Sequence, residues 1–475
     1  MRAMLKSISR YEKILLILLL LSLAIFIARA LSPTPASIDL TSITPISLAD
    51  HQRLLILAPH CDDETLGSAG LIQAALRAGL QVRVVIATNG DGYLFAIMQD
   101  FHKIYPRPAD FIRLGKLRQQ ESLAALYLLG VKPAHVIFLS YPDRGTPALW
   151  NDHWASDAPY RSPFSEDSKS PYPLTYDPHS VYAGQDYLAD LSSILADYRP
   201  DLIVFPHPQD VHPDHWGLNV FTRLAVTMAK HVDPAYTPTE FTYLVHRPDF
   251  PEVKGLEPLE PLVPPPALYR TSQNWYRLDL TSSDESRKDQ ALQQYRSQLP
   301  LLRGLMESFI RINELFAPVQ DAVLPELGRG DAQDPSTWTD SSGRSIPMIQ
   351  TDPVADFITR DAIPAGDLVG FYAARDAQDN LLICSQTREN AIAGLTYSIR
   401  LKALSGEAIT AFHAETRQTT KPAGQVARRN GLFICASFPL TDLGDPWAVF
   451  VGVNSAGGCR VMDETAWQMI YIKKP

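Results

Sequence analysis

Cysteine is scarce in these 475 residues, with only Cys61, Cys384, Cys435 and Cys459 present. No two of them make a CxxC pair, which excludes an ordinary structural zinc cluster. For the last three, a disulfide in an exported protein and buried free thiols both stand open. An excess of positive charge is also lacking. The net charge is −9 and no long basic run follows the N-terminus, so nucleic acid is not an expected partner. Internal repeats and low-complexity tracts are absent, and 38 prolines point to long ordered loops rather than helical repeats. Long apolar runs are rare too. The main one covers residues 14–28, broken only by Ser22. Its length of about 15 residues is short of the roughly 20 that span a bilayer, though Tyr11 and Leu31 extend it.

Arg2, Lys6, Arg10 and Lys13 precede that run. Basic residues on this side predict a cytoplasmic N-terminus and an exported remainder. We expect residues 1–32 to be a retained hydrophobic anchor helix that holds the catalytic domain at the membrane, outside the cytoplasm. The alternative is a signal peptide cleaved near Ala28-Arg29-Ala30, which would leave a secreted or periplasmic protein. Residues 33–50, with Pro33, Pro35 and Pro45, then read as a tether.

The remaining length suits two domains. Between residues 51 and 317, short apolar strands alternate with amphipathic helices. Strands are expected at 54–59, 81–88, 135–141, 201–206 and 241–246, and helices at 65–78, 109–129, 182–198, 216–230 and 284–316. This alternation predicts an α/β fold, a Rossmann-like, mostly parallel sheet with helices on both faces. The proline-rich stretch 144–181 reads as a long loop that walls a substrate site. Residues 318–365 read as a connector. From 366 to 475, seven short strand-like segments from "DLVGFYAARD" to "WQMIYIKK" predict an all-β, sandwich-like accessory domain.

Two segments carry the chemistry. "APHCDDE" places His60, Cys61, Asp62, Asp63 and Glu64 just past the first strand, and "FPHPQDVHPDHWG" crowds His207, Asp210, His212, Asp214 and His215 past the fourth. Ligands bind at the carboxyl ends of strands in such sheets, so the two segments can share one crevice. Carboxylates packed this closely repel unless a cation joins them. Nitrogen and oxygen donors with an open position suit catalytic Zn2+, with other divalent cations as alternatives. Such an ion acidifies water and polarises a carbonyl, a carboxylate that is not a ligand can take the water's proton, and a histidine can stabilise the oxyanion. These parts suit amide hydrolysis.

The pair "PHCDDE" and "HPDH" resembles the PIG-L/LmbE-like family of zinc-dependent N-acetylglucosaminyl deacetylases. "TNGD" after the second strand, "RQQE" in the long helix and "YPD" after the third strand support the likeness, which covers roughly residues 50–250. The resemblance implies His60, Asp63 and His215 as metal ligands and Asp62 as general base. It implies His212 as the oxyanion-stabilising group and Asp214 as its hydrogen-bonding partner. Arg118 would contact substrate, and Asn89 and Asp91 would shape the pocket floor. One departure is Cys61, where the family usually has proline. The implied function is deacetylation of an N-acetylated amino sugar in a glycan, glycolipid or small conjugate. The alternatives are a catalytically inactive metal- and glycan-binding protein, against which the intact Asp62 counts, or an amidase of the same chemistry acting on a non-sugar N-acyl conjugate.

Overall fold

A computed structural model describes residues 38–269, 274–354, 362–416, 425–458 and 460–472. The expected anchor at 1–32 lies outside these residues. Among the described residues no helix is long and apolar enough to cross a membrane. Residues 40–42 form a 3₁₀ turn. The rest of the described chain, from Ile43 onward, is one compact unit.

Its first lobe is built on an eight-stranded sheet. The strands are β1 (Thr44–Pro45), β2 (Arg53–Ala58), β3 (Gln81–Thr88), β4 (Val136–Tyr141), β5 (Leu202–Pro206), β6 (Thr239–Tyr243), β7 (Tyr276–Asp279) and β8 (Asn313–Pro318). Their order is β1-β7-β8-β6-β5-β2-β3-β4. The stretch from β4 to β6 is parallel throughout, and β8 adds to β6 antiparallel. Strands β2 to β5 are almost entirely buried apolar residues, as a sheet covered on both faces requires.

The helices are α1 (Asp63–Arg77), α2 (Leu94–Phe101), α3 (Pro108–Leu128), α4 (Thr146–Asn151), α5 (Gly184–Tyr198), α6 (Pro213–Val232), α7 (Pro266–Tyr269), α8 (Ser282–Leu292) and α9 (Leu299–Glu307). After β2 the chain moves outward to β3 and β4, then returns to the other side of β2 for β5 and β6. The carboxyl ends of β2 and β5 therefore face one crevice at the point where strand order reverses.

The second lobe is a sandwich of two mostly antiparallel sheets. Its strands are β9 (Ala322–Val323), β10 (Arg329–Asp331), β11 (Asp334–Thr339), β12 (Gln350–Thr351), β13 (Leu368–Arg375), β14 (Asn380–Thr387), β15 (Thr396–Ser405), β16 (Ala408–Glu415), β17 (Gln425–Val426), β18 (Arg428–Asn430), β19 (Phe433–Pro439), β20 (Ala448–Gly457), β21 (Arg460–Glu464) and β22 (Gln468–Tyr471). One sheet runs β12-β13-β14-β19-β18 and the other β17-β16-β15-β20-β22-β9, with β21 beside β20. Leu368, Phe371, Ile383, Ile399, Leu401, Ile434 and Val451 fill the space between them. Cys384 and Cys435 sit opposite each other on β14 and β19 and form a disulfide, while Cys459 lies outside the described residues.

Five expectations need correction. The described part of the tether at 33–50 is not a free link, because Thr44–Pro45 pairs with β7 as strand β1 of the main sheet. The stretch 144–181, expected as a loop, opens with helix α4. The helix expected over 284–316 is broken: α8 ends before a turn at 293–298, Pro300 opens α9 near its N-terminus, and 313–318 is the antiparallel strand β8. A proline lacks the N–H that a continuous helix would need there. The connector at 318–365 is not a free link, because β9 and β12 extend the two sandwich sheets. The sandwich is not a separate accessory body either. One apolar cluster runs from Leu55, Leu191 and Phe221 into Phe450, Trp467 and Met469 of the sandwich. Trp150 stands at its centre, edge-to-face with Phe221, Phe450 and Trp467 at 5.2, 5.7 and 5.3 Å.

Lys402 of β15 projects into this junction, with its Nζ 3.9 Å from the ring centre of Trp154. Burial drives its pKa from 10.5 down to about 7, against a weaker opposing pull from Asp152. Between pH 7 and pH 10 the unfolded chain therefore holds a proton at this lysine that the folded chain does not, so this group makes stability rise with pH over that window. Lys402→Met is expected to stabilise the protein at pH 7, and the gap to wild type is expected to shrink by pH 9.5. Urea unfolding of both proteins at the two pH values checks this.

Candidate active site

Proximity in the chain brings His60 and Asp63 together, and the sheet brings the rest. Past β2 the backbone turns sharply into α1. Asp62 adopts φ 157°, a strained value for a residue with a side chain, and its N–H donates to Glu64 Oε2 at 3.0 Å. This turn aims Asp63 back at the strand end. Its Oδ2 accepts from the His60 backbone N at 3.0 Å, and lies 3.0 Å from His60 Nδ1 and 3.1 Å from His215 Nε2. His215 stands in the first turn of α6, beyond the end of β5. Its other nitrogen, Nδ1, is 3.0 Å from Asp210 Oδ2.

Asp210 is a hub. It accepts backbone N–H groups from His212, Val245 and His246 at 2.9–3.0 Å, tying the loop after β5 to the loop after β6. The sequence places it in the crowded segment past β5 and assigns it no role. Reasoning from sequence also missed His246, whose Nε2 is 3.8 Å from Asp63 Oδ1. The available signal was its position three residues past the end of β6, the strand next to β5. His60, Asp63, His215 and His246 each offer a donor atom, and these atoms all lie within 4.8 Å of one another; His60, His212 and Asp214 form a second, overlapping group.

The electrostatics ask for a cation. Asp62, Asp63, Glu64, Asp143, Asp210 and Asp214 are all buried within this crevice or beneath it. Burial alone would lower the basicity of His215, yet Asp210 and Asp63 pull its pKa up to about 9. His60 is likewise raised, with Asp143, Asp214 and Asp63 overcoming its burial. Asp62 moves the other way, to about 8, because burial and Asp63 outweigh Arg118 and His60. Asp63 Oδ1 is buried and lacks a hydrogen-bond partner among the described residues. A buried carboxylate oxygen beside three imidazoles fits a divalent cation, which would supply the missing positive charge and leave the imidazoles as neutral ligands. His60, Asp63, His215 and His246 are the residues placed to hold it. Cys61, buried and reduced, is not among them.

His212 caps α6: its Nδ1 accepts the Asp214 N–H at 3.3 Å. That bond assigns the proton of the neutral ring to Nε2. Burial, followed by the charges of His60 and His215, holds the ring in its neutral form. The carboxylate of Asp214 does not reach His212 as expected. It accepts from Thr146 Oγ1 and N and from Arg144 N, and its Oδ2 lies 3.2 Å from His60 Nε2. Asp214 therefore braces His60 and the loop after β4.

The residues expected on the substrate side are each tied into the protein. Arg118 spends its guanidinium on Gly90 O, Cys61 O and Gln298 Oε1 at 2.7–3.2 Å, with Asp62 3.6 Å away. Gly90 makes this approach possible, since its φ is +60° and a Cβ there would collide with the guanidinium. Arg118 is thus a clamp beneath the Asp62 turn and is buried. Asn89 is locked between Ser140 and Gln119. Asp91 accepts from the Tyr172 hydroxyl at 2.6 Å, which anchors the long loop after β4. Glu64 accepts from Tyr295 and Ser122 while holding the Asp62 N–H.

Residues 55–226 match the family model described as PIG-L: GlcNAc-PI de-N-acetylase. These residues are a PIG-L family domain. Curated relatives are similar over the same stretch. The chain is 33% identical over 188 residues to the 1D-myo-inositol 2-acetamido-2-deoxy-alpha-D-glucopyranoside deacetylase of Mycobacterium sp. (strain KMS), covering 39% of this chain and 53% of that protein. It is 27% identical over 203 residues to the protein of the same name from Corynebacterium urealyticum, covering 41% and 53%. The chain thus spans about half the length of the curated relatives it matches. Among solved structures, the N,N'-diacetylchitobiose deacetylase from Pyrococcus horikoshii aligns with TM-score 0.36 and 18% identity, over 57% of this chain and 85% of that one. The site described above draws on the PIG-L domain for His60, Asp62, Asp63, Asp210, His212 and His215, whereas His246 lies beyond its matched residues.

Asp210→Asn tests the hub. It is expected to keep the fold and to weaken metal binding about 10- to 100-fold, as loss of a ligand's orienting partner does. Competition with a metal-binding dye measures this, and His246→Ala in the same assay reports whether the fourth donor contributes.

Proposed function

We propose that the PIG-L domain is a zinc-dependent hydrolase that removes the acetyl group from an N-acetylated amino sugar. The observation that carries this reading is Asp62, a buried carboxylate beside the four-donor cluster but outside it. A site that only bound metal would gain nothing from such an unshared base. The names of the curated relatives, deacetylases of a 2-acetamido-2-deoxy-glucoside, support the same substrate class. Zinc suits the imidazole and carboxylate donors.

A bound divalent cation supplies a polarised acetyl carbonyl and an acidified water. The chain's own residues do the rest. Asp62 takes the proton of the attacking water, and Arg118 and Glu64 fix its backbone turn so that the carboxylate holds its aim. The Nε2–H of His212 is the donor for the oxyanion as the carbonyl carbon becomes tetrahedral. Because this imidazole is held neutral, it serves better as a hydrogen-bond donor than as a proton carrier. The carboxyl of Asp62 is then the group left to protonate the departing amine as the C–N bond breaks.

The location follows the same reading. Residues 14–28 and the basic residues before them support an anchored protein with its catalytic lobe outside the cytoplasm, and the Cys384–Cys435 disulfide suits an oxidising compartment. Leu94, Phe95 and Met98 are exposed on α2, directly after the Asp91 turn, and favour a substrate with an apolar portion such as a glycolipid.

Asp62→Asn is expected to bind zinc as wild type does and to lose about 10²- to 10⁴-fold in turnover. Amine release from N-acetylglucosamine and from N-acetylated glycolipids, with metal content measured alongside, checks both halves. Chelator should abolish the wild-type signal and added zinc should restore it. Wild-type turnover in the variant would remove Asp62 from the base role.

A further inference from the structure

Helix α2 and the loop after it carry an apolar face that no other part of the described residues covers. Ala96 and Ile97 turn inward and pack with Leu114 of α3. The opposite side of the helix holds Leu94, Phe95 and Met98, and the loop adds Ile104 and Tyr105. Phe95 is 62% exposed, Ile104 71% and Tyr105 89%. Large apolar side chains grouped so closely and left to water are costly, and such a patch marks a binding surface.

Charge identifies what covers it. The chain as a whole has a net charge of −9. Residues 93–117 depart from that balance, because Lys103, Arg107, Arg113 and Lys116 are all exposed. The two acids of the stretch are half-buried and engaged, Asp100 by Gln99 and Asp110 by the Arg107 N–H. Arg113 lays its guanidinium over the Phe101 ring at 4.0 Å, which holds one cation at the edge of the apolar face. An apolar centre with a tyrosine and basic residues at its rim has the composition that settles in the headgroup region of an anionic bilayer.

The face begins at the catalytic crevice. Gly92 N donates to Asp143 Oδ2 at 2.8 Å, and the other oxygen of Asp143 lies 3.5 Å from His60 Nε2. Tyr93 follows, half-buried, with its hydroxyl pKa raised by burial and close enough to feel Arg118 and Asp62. Helix α2 starts at the next residue.

We propose that α2 and the loop leading to Arg107 form a docking face for an anionic lipid bilayer, which sets the mouth of the acid–histidine crevice against the membrane surface. Lipid contact at this face stands apart from the deacetylase reading. Its use, presenting a glycolipid headgroup to Asp62 while the lipid stays in the bilayer, rests on that reading. The face is also distinct from the expected anchor at 1–32. An anchor keeps the chain near a bilayer, whereas this face fixes which side of the domain meets it.

The test uses the full chain in vesicles and asks which side of the domain touches lipid. Phe95→Trp puts an indole on the face, and Val232→Trp puts one at the far end of α6, at a position that is also exposed. Emission of each is read as a difference from wild type in phosphatidylcholine vesicles with and without phosphatidylglycerol, the acyl chains being brominated to quench indoles at lipid depth. With phosphatidylglycerol, the indole at position 95 is expected to lose about half its emission and the one at position 232 to lose none. Lys103→Glu combined with Arg113→Glu is expected to reverse most of that quenching, as is raised salt. Equal quenching at both positions, none at 95, or quenching at 95 that needs no phosphatidylglycerol would overturn the docking face. Quenching at 95 by a brominated alkyl glucoside below its micelle concentration, with none from vesicles, would also overturn it and give the face to a single acyl chain. Quenching at 95 with no deacetylation by any protein would uphold the face and count against the deacetylase reading alone.

Discussion

The site depends on one carboxylate. Asp63 lies in the first turn of α1, pinned by the His60 backbone N–H, with imidazoles from β2's end and α6 both on the same oxygen. The other oxygen faces His246 and has no hydrogen-bond partner among the described residues. Five further carboxylates are buried close by. So much negative charge under low dielectric calls for compensating positive charge, and of the histidines His60 and His215 answer by drawing protons while His212 and His246 are held neutral. The demand for a cation is thus built into the fold before any reaction is considered.

The sheet explains how that demand is met from distant parts of the chain. Strand order reverses between β2 and β5, which opens the crevice and places the two motif-bearing loops on either side of it. The supporting groups come from still further away. Gln298, between α8 and α9, donates to Cys61 O and accepts from Arg118, and Tyr295 donates to Glu64. The break between these two helices is what lets both side chains reach under the Asp62 turn.

Much of this was legible in the sequence, and the exceptions have physical reasons. The alternating pattern located β2 to β6 and α1, α3, α5 and α6 between them, while the short helices α2 and α4 went unread; turn spacing located the seven main sandwich strands. The two dense motifs announced themselves because acids and histidines seldom cluster at the end of an apolar strand. His246 stayed hidden because a lone histidine after "YLV" carries no local pattern; only the adjacency of β6 to β5 gives it meaning. The bonds that Arg118 and Asn89 make within the protein were hidden for a related reason: their partners, the Gly90 and Cys61 carbonyls, Ser140 and Gln119, come together only in the fold. Asp214 was assigned to the nearer histidine along the helix, whereas the fold turns it toward His60 and Thr146.

The largest surprise is the junction. Composition separates an α/β lobe from a β-rich lobe, and that change in pattern reads as two bodies with a link between them. Packing overrules it. Trp150 on α4 touches Phe450 and Trp467, and Arg223 on α6 donates to the backbone of Trp467 and Gln320. Helix α6 also presents His215 at its first turn. The element that carries one of the site's histidines is therefore the same element on which the sandwich rests. A lobe seated there has its β21 edge beside the catalytic loop as a consequence of packing alone. The shared core fixes the position of that edge.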